Sequence, residues 1–363
     1  MIEKINVKLA DRSYNIFIGN NAINKLPEFL VDKNYSRIFL ITDYNVANHH
    51  LDSIKKLLPN IEYLIADSGE QTKAFQPLQD LCEKILALGI DRNSLIIAFG
   101  GGVIGDLSGF AASILLRGVD FIQIPTTLLS MVDSSVGGKT GINCKSGKNL
   151  IGTFYQPKLV ICDTNFLNSL SLRQIRAGYA EIFKYSLIAD KNFYDFLIEN
   201  SSKILLLEDD VVIKSVKKSC EIKAKIVSQD EKEKGIRMML NFGHTFAHVL
   251  EAETDYSNIL NHGEAVAIGM LMAAKMSVSL KLLDEKIYYE IRNHIQECGF
   301  KINLRYIKNY WNSNKLCKYL AKDKKNEKNK TRYILLKNIG SATSAKLESN
   351  DEFIKVLKNF GAH

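Results

Sequence analysis

Two kinds of hydrophobic pattern divide this chain. In RIFLITD, EYLIAD, SLIIAFGG, FIQIP and KLVICD, between Arg37 and Asp163, apolar residues run together and are bounded by polar or turn residues. Short runs of this kind predict strands buried on both faces, as in a parallel sheet. Between them, LDSIKKLLPN and FQPLQDLCEKILALG carry apolar residues at helical spacing. The alternation predicts βαβ units: a Rossmann-like α/β domain over residues 1–170, with a mainly parallel sheet and helices on both faces. From about Ser171 the period changes. RQIRAGYAEIFKYSLIA, YDFLIENSSKILLL, DVVIKSVKKSCEIKAKIVSQ, GEAVAIGMLMAAKMSVSLKLL and EKIYYEIRNHIQECG all follow the helical repeat. They predict an all-α domain over residues 171–363, with SLSLRQIRAG at the boundary and RYILLK as one short β-like run. An active site in a cleft between the two domains is the expectation.

Composition narrows the function classes. Hydrophobic residues make up 46% and charged residues 24% of 363, the profile of a globular enzyme. No apolar run approaches the roughly 20 residues that a bilayer span needs. MIEKINVKLADRSYNIFIG alternates polar and apolar residues and contains no cleavable hydrophobic region, so nothing in it points to export. The six cysteines (Cys82, Cys144, Cys162, Cys220, Cys298, Cys317) form no C-x-x-C pair and read as reduced thiols of a cytoplasmic protein. Much of the net charge of +8 lies in one run, KDKKNEKNKTR, without the interleaved aromatics of a nucleic-acid stacking platform. A small anionic substrate fits the charge better than nucleic acid does.

Three motifs carry candidate chemistry. Gly100, Gly102 and Gly105 satisfy G-x-G-x-x-G between an apolar strand and a helix. There glycine lets a pyrophosphate approach the backbone and the helix N-terminus offers N–H donors. The strand is a middle one rather than the first, so an ordinary Rossmann dehydrogenase is not implied. VGGKTG fails as a phosphate-binding P-loop because Asp133 stands where the first glycine belongs, although Lys139 remains an anion ligand candidate. In NFGHTFAHVLEAE, a helix from Asn241 would put His244, His248 and Glu251 on one face, away from Phe242, Phe246, Val249 and Leu250. Thr245 replaces the glutamate of the H-E-x-x-H zinc motif. His262 opens a small-residue helix that reads as buried, and Glu181 offers a carboxylate. The residues alone do not choose among His244, His248 and His262 as metal ligands.

Taken together, SGEQTK, GGGVIGDLSGF, IPTTLLSMVDSSVGGKTGIN, GKNLIGTFYQP, AGYAEIFKY, KAKIVSQDEKEKGIRMMLNFGHTFAHVLE, LNHGEAVAIGM and DKK resemble the 3-dehydroquinate synthase family of sugar phosphate cyclases, in the family's order, from about Asp43 to Lys325. The resemblance implies Zn2+ (or Co2+) held by Glu181, His244 and His262, which leaves positions open for substrate. His248 is then a non-ligand near the substrate phosphate that helps move protons. Implied NAD contacts are Asp43, Glu70, Lys73, Gly101, Gly102, Val103, Asp106, Thr126, Thr127, Leu129, Lys139, Lys148 and Phe166, Leu167, Asn168 and Ser169. Implied substrate contacts are Arg117, Asp133, Lys139, Asn149, Lys184, Lys223, Arg237, Asn241 and His248, with one of Lys324 and Lys325. Ser68 stands where many relatives carry aspartate and Met131 where glutamine is common. The implied reaction converts 3-deoxy-D-arabino-heptulosonate 7-phosphate to 3-dehydroquinate and phosphate, and members of the family are commonly homodimers. Another sugar phosphate cyclase, such as 2-deoxy-scyllo-inosose synthase, or a metal-dependent polyol dehydrogenase is the alternative. The cluster Arg117, Lys139, Asn149, Lys223 and Arg237 favours an acidic heptulosonate over a neutral hexose.

Overall fold

The computed structural model describes residues 2–31, 33–321 and 331–363, so Lys324 and Lys325 lie outside the described residues. Packing divides the chain into two compact units: Met1–Ile175 with Leu207–Lys232, and Arg176–Leu206 with Glu233–His363.

The first unit contains strands β1 (Glu3–Val7), β2 (Tyr14–Gly19), β3 (Ile38–Asp43), β4 (Glu62–Ala66), β5 (Leu95–Gly100), β6 (Asp120–Pro125), β7 (Lys139–Cys144), β8 (Gly147–Phe154) and β9 (Leu159–Asp163). Helices α1 (Lys25–Val31), α2 (Tyr44–Leu57), α3 (Phe75–Ala87) and α4 (Gly102–Ile114) connect them. Seven strands form one sheet in the order β1-β2-β9-β6-β5-β3-β4. β1 is antiparallel to β2 and every other pairing in this sheet is parallel. Each of the five apolar runs read from the sequence is one of its strands. The polar–apolar alternation at the N-terminus is the β1–β2 ribbon.

Period-two alternation explains the two-sided core. Phe39, Ile41, Ile96, Ala98 and Phe121 pack with Leu78, Leu81 and Ile85 of α3 and Leu107 of α4. Leu40, Leu95, Ile97, Phe99 and Ile122 turn to the other face and pack with Leu26, Leu51 and Ile54 of α1 and α2. β7 and β8 form a separate antiparallel hairpin beside α4.

After the sheet come α5 (Leu172–Ala189), α6 (Lys191–Leu205) and α7 (Asp209–Gln229). Residues 207–232 belong to the first unit, which differs from the single boundary expected near residue 170. The physical reason is that α7 packs against β1 and β2, and its Lys217 Nζ pairs with Glu3 Oε2 at 2.7 Å. Helical periodicity shows that a segment is a helix but not which sheet it covers.

The second unit is built from α5 beyond Ile175, α6, α8 (His244–Glu253), α9 (His262–Ser279), α10 (Glu285–Glu297), α11 (Ser313–Ala321) and α12 (Asp351–Asn359). α9 is buried along most of its length. The helical unit also carries a hairpin, β10 (Thr331–Asn338) with β11 (Ser341–Leu347). RYILLK lies in β10, where Tyr333, Ile334, Leu335 and Leu336 are buried and the Leu336 N–H donates to Ser277 Oγ of α9 at 3.0 Å.

Candidate functional site

In the first unit, the nucleotide candidates gather at one edge of the sheet. Asp43 ends β3, Glu70 and Lys73 follow β4, Gly101–Asp106 follow β5, Thr126–Leu129 follow β6, and Phe166–Ser169 follow β9. All five groups lie beyond carboxyl ends of parallel strands, where open α/β sheets bind ligands. Asp43 caps α2, accepting from the N–H groups of Asn45 and Val46 at 2.9 and 3.1 Å. Ser68 Oγ donates to the same carboxylate at 3.0 Å, so the serine at that position supports Asp43 directly. α4 begins at Gly102 with no side-chain cap, and Gly101, Gly102 and Val103 are half-exposed. Its first N–H groups are therefore available to an anion, and a methyl on Gly101 would come within 3.3 Å of Thr127 Cγ2. These features fit a pyrophosphate-bearing nucleotide such as NAD. Phe166 and Leu167 are buried, Phe166 against Phe99, whereas Asn168 and Ser169 are exposed.

Lys73 lies at the centre of a compact polar network. Its ammonium reaches Asp106 Oδ2 and Asn149 Oδ1, both at 2.6 Å, and Glu70 Oε1 at 3.9 Å. Burial of Lys73 opposes its charge, but the carboxylates of Asp106 and Glu70 more than reverse this, raising its pKa. Lys148 Nζ is also 3.9 Å from Glu70 Oε1. Lys139 opens β7 and is exposed. Asp133, in the single π-turn Ser130–Ser134, accepts from Lys223 Nζ of α7 at 2.5 Å through Oδ1 and at 2.6 Å through its carbonyl. Arg117 is placed apart from this set. It precedes β6, at the strand end opposite Pro125 and Thr126, in a left-handed backbone conformation (φ +69°).

In the second unit, three helices bring Glu181, His244 and His262 together, with one ligand atom from each within 4.8 Å of the others. The Nε2 atoms of His244 and His262 each lie 3.5 Å from Glu181 Oε1. Local sequence fixes each histidine. Asn261 and Glu264 form a capping box, with bonds of 2.9 and 3.0 Å, that starts α9 at His262. A Cβ on Gly263 would collide with Ala177 Cα, so α9 meets α5 within four residues of Glu181. Gly243, left-handed at φ +81°, starts α8 at His244, and its carbonyl lies where a Cβ on Gly269 would be.

The remaining ring nitrogens are also engaged. His244 Nδ1 is 3.2 Å from the Phe242 carbonyl and His262 Nδ1 is 3.4 Å from Glu251 Oε1. Both contacts favour the tautomer whose Nε2 lone pair faces Glu181, the usual arrangement behind metal-bound histidine. Burial opposes charge on His262, but Glu251 and then Glu181 outweigh it and push its pKa up to about 10. Glu181 is fully buried; Lys184 pairs with its Oε2, and its Oε1 faces the two histidines. A buried carboxylate with two imidazole nitrogens converging on one of its oxygens is a donor set that fits a divalent ion. His248 is exposed, with its ring 5.5 Å from that of His244. The face of α8 that carries His244 and Glu251, opposite its apolar side chains, is buried as well. α8 is buried on nearly every side because α9 and α11 both pack on it, and His248 is its exposed position. Arg237 is buried, and Asn241 Nδ2 donates to Glu233 Oε1 at 2.6 Å.

Family models described as 3-dehydroquinate synthase N-terminal and C-terminal match residues 63–177 and 178–326. The chain belongs to the 3-dehydroquinate synthase family. It is 43% identical to the 3-dehydroquinate synthase of Pelagibacter ubique (strain HTCC1062), over 98% of this chain and 97% of that one. Among solved structures it is similar to a 2-deoxy-scyllo-inosose synthase complexed with carbaglucose-6-phosphate, NAD+ and Co2+, with TM-score 0.89 and 25% identity, covering 99% of this chain and 100% of the other. A 2-epi-5-epi-valiolone synthase from Streptomyces hygroscopicus subsp. jinggangensis 5008, with NAD+ and Zn2+ bound, shares the fold at TM-score 0.87 and 24% identity, covering 97% and 98%. The structure adds two supporting residues that the sequence motifs do not single out, Glu251 and Asn143. Glu251 was placed beside the histidines but given no partner, and Asn143 lay unremarked within a long motif. An acid seven residues after His244, two helical turns on, is a readable signal; the contacts of Asn143 depend on a strand irregularity that periodicity does not reveal.

Proposed function

We propose that this chain converts 3-deoxy-D-arabino-heptulosonate 7-phosphate to 3-dehydroquinate and phosphate, using NAD as a recycled cofactor and a divalent ion, with Zn2+ as the resident metal. The observation that carries this reading is the buried Glu181 carboxylate with the Nε2 atoms of His244 and His262 each 3.5 Å from its Oε1, in a chain of this family. What the ion and NAD supply when bound is Lewis acidity toward a hydroxyl and a reversible hydride sink. In this reading Glu181, His244 and His262 hold the ion, while Phe242 and Glu251 fix the imidazoles. Gly101, Gly102 and Val103 offer backbone N–H groups to the pyrophosphate, and Asp43 faces the ribose. Lys184, Arg237, Lys223, Lys139 and Asn149 bind the substrate's carboxylate, hydroxyls and phosphate, because forked guanidinium and point-charge donors suit both anions. The exposed imidazole of His248 takes and returns protons at the substrate.

The cations Lys139, Lys184, Lys223 and Arg237 support an acidic heptulosonate over the neutral hexose of a 2-deoxy-scyllo-inosose synthase. Among the described residues no helix is long and apolar enough to cross a membrane. Six free cysteines support a reducing, cytoplasmic setting, and a homodimer is the assembly we infer from the family. The deciding experiment measures phosphate release from the heptulosonate phosphate with trace NAD, before and after exhaustive chelation. Release is expected to stop on metal removal and to return with Zn2+ or Co2+, without net NADH accumulation. Undiminished release from metal-free protein, or stoichiometric NADH build-up, would contradict the proposal.

A further inference from the structure

Asn143 connects groups that the function treats separately. The pairing of β7 with β8 shifts register between Ile142 and Cys144, so Asn143 drops out of the ladder. Such irregularities re-aim a side chain, and here the Asn143 amide turns to the segment after β4. Its Nδ2 donates to Glu70 Oε1 at 2.8 Å, its Oδ1 accepts the Asn149 N–H at 2.9 Å, and its own N–H donates to the Lys73 carbonyl at 2.8 Å. Asn149 has φ +53°, the left-handed region that asparagine tolerates better than most residues. Its side chain accepts from Lys73 Nζ at 2.6 Å, which closes a ring of contacts through Asn143, Asn149 and Lys73.

We propose that Asn143 is a positioning residue that locks the hairpin tip carrying Lys148 and Asn149 onto the Glu70–Lys73 turn, so that one amide sets both nucleotide-binding and substrate-binding groups. The proposal rests on the functional reading above for the role of Asn149. One hydrogen bond restrains Glu70, whose carboxylate would otherwise be free to follow Lys148. The other holds the Asn149 backbone in the conformation that presents its side chain. Asn143 itself does not touch a reacting atom.

The two bonds are separable. Asn143→Ala removes both. Asn143→Asp keeps the acceptor for the Asn149 N–H but sets a carboxylate against Glu70. The test uses the metal-loaded protein and measures the NAD dissociation constant without substrate, the KM for heptulosonate phosphate, kcat, and metal content. Asn143→Ala should weaken NAD and raise the substrate KM, each roughly three- to ten-fold, with a smaller effect on kcat. Asn143→Asp should weaken NAD at least as much yet leave the substrate KM within about two-fold of wild type. Metal content should stay stoichiometric in both. Unchanged NAD affinity in either variant, equal effects of both variants on both constants, or loss of metal would overturn the proposal. If wild-type protein binds NAD but releases no phosphate, the functional reading fails, while the NAD arm still decides the role of Asn143.

Discussion

Glu251→Gln is the sharpest probe of the proposed metal centre, because it changes one charge behind one proposed ligand. Glu251 Oε1 stands 3.4 Å from His262 Nδ1, with the glutamate side chain 4% exposed and the histidine 31%. Between full charges at that separation, an effective dielectric of about 20 gives an attraction of about 5 kcal/mol. Metal binding requires neutral His262, so what survives in the loaded state is a carboxylate accepting from an imidazole N–H, which is worth much less. Contacts of this kind change metal affinity about 10- to 100-fold, equivalent to about 1.4–2.7 kcal/mol. Glutamine keeps an acceptor oxygen and loses only the charge, so Glu251→Gln should weaken Co2+ or Zn2+ binding about ten-fold. Glu251→Ala loses the acceptor as well and should approach 100-fold. The dissociation constants come from chelator competition on purified protein without NAD or substrate. Glu253→Gln is the control, since Glu253 pairs with Lys308 and Lys315 at 2.6 and 2.8 Å, away from the histidines. Both Glu251 variants binding metal within two-fold of wild type, or Glu253→Gln weakening it equally, would refute the reasoning.

Elemental analysis should find stoichiometric metal lost in Glu181→Ala and His262→Ala but retained in His248→Ala; loss in the His248 variant alone would reverse the ligand assignment. Gly263→Ala should destabilise the protein by about 1–3 kcal/mol and weaken metal binding, because its methyl meets Ala177 backbone that cannot rotate away; an unchanged melt with full metal content would show that α5 and α9 are not held that closely. His294 is buried beside Tyr179, its ring Nε2 2.6 Å from the phenol oxygen, and burial lowers its pKa to about 4. Because its unfolded value is near 6.5, the unfolded chain binds more protons between those pH values, so stability should fall by up to about 3 kcal/mol as pH drops from about 6.5 to 4. Denaturant titrations of wild type and His294→Gln over that range check this, and equal pH slopes would remove His294 as the cause.

Much of the first unit was legible because its signals are local. A strand buried on both faces must be apolar throughout, and β5, LIIAFG, is buried at every position. The glycine turn was legible for the same reason, since strand, turn and helix are contiguous. Where reading failed, the deciding contact was distant in sequence. α7 reads as one more amphipathic helix, and only its packing on β1 and β2 assigns it to the first unit. The β10–β11 hairpin was half visible: apolar RYILLK stands out, but SATSAKL is small or polar until Leu347 and shows no apolar alternation.

The histidine question shows why a helix face is too coarse a guide to ligation. His244 and His248 share a face of α8 by spacing, yet His244 faces the Glu181 carboxylate and His248 is exposed. What separates them is the approach of other helices. Gly243, next to His244, meets α9 at Gly269, and Gly263, next to His262, meets α5 at Ala177. Two of the three proposed ligands thus sit beside a glycine that lets backbones come closer than any side chain would permit. That closeness brings imidazoles from two helices to a carboxylate on a third. His248 lies a turn beyond the α8–α9 approach at Gly243 and is exposed, its ring 5.5 Å from that of His244. Which histidine faces Glu181 is then a consequence of where the helices touch. The small residues flanking His244 and His262 carry as much of that information as the histidines themselves.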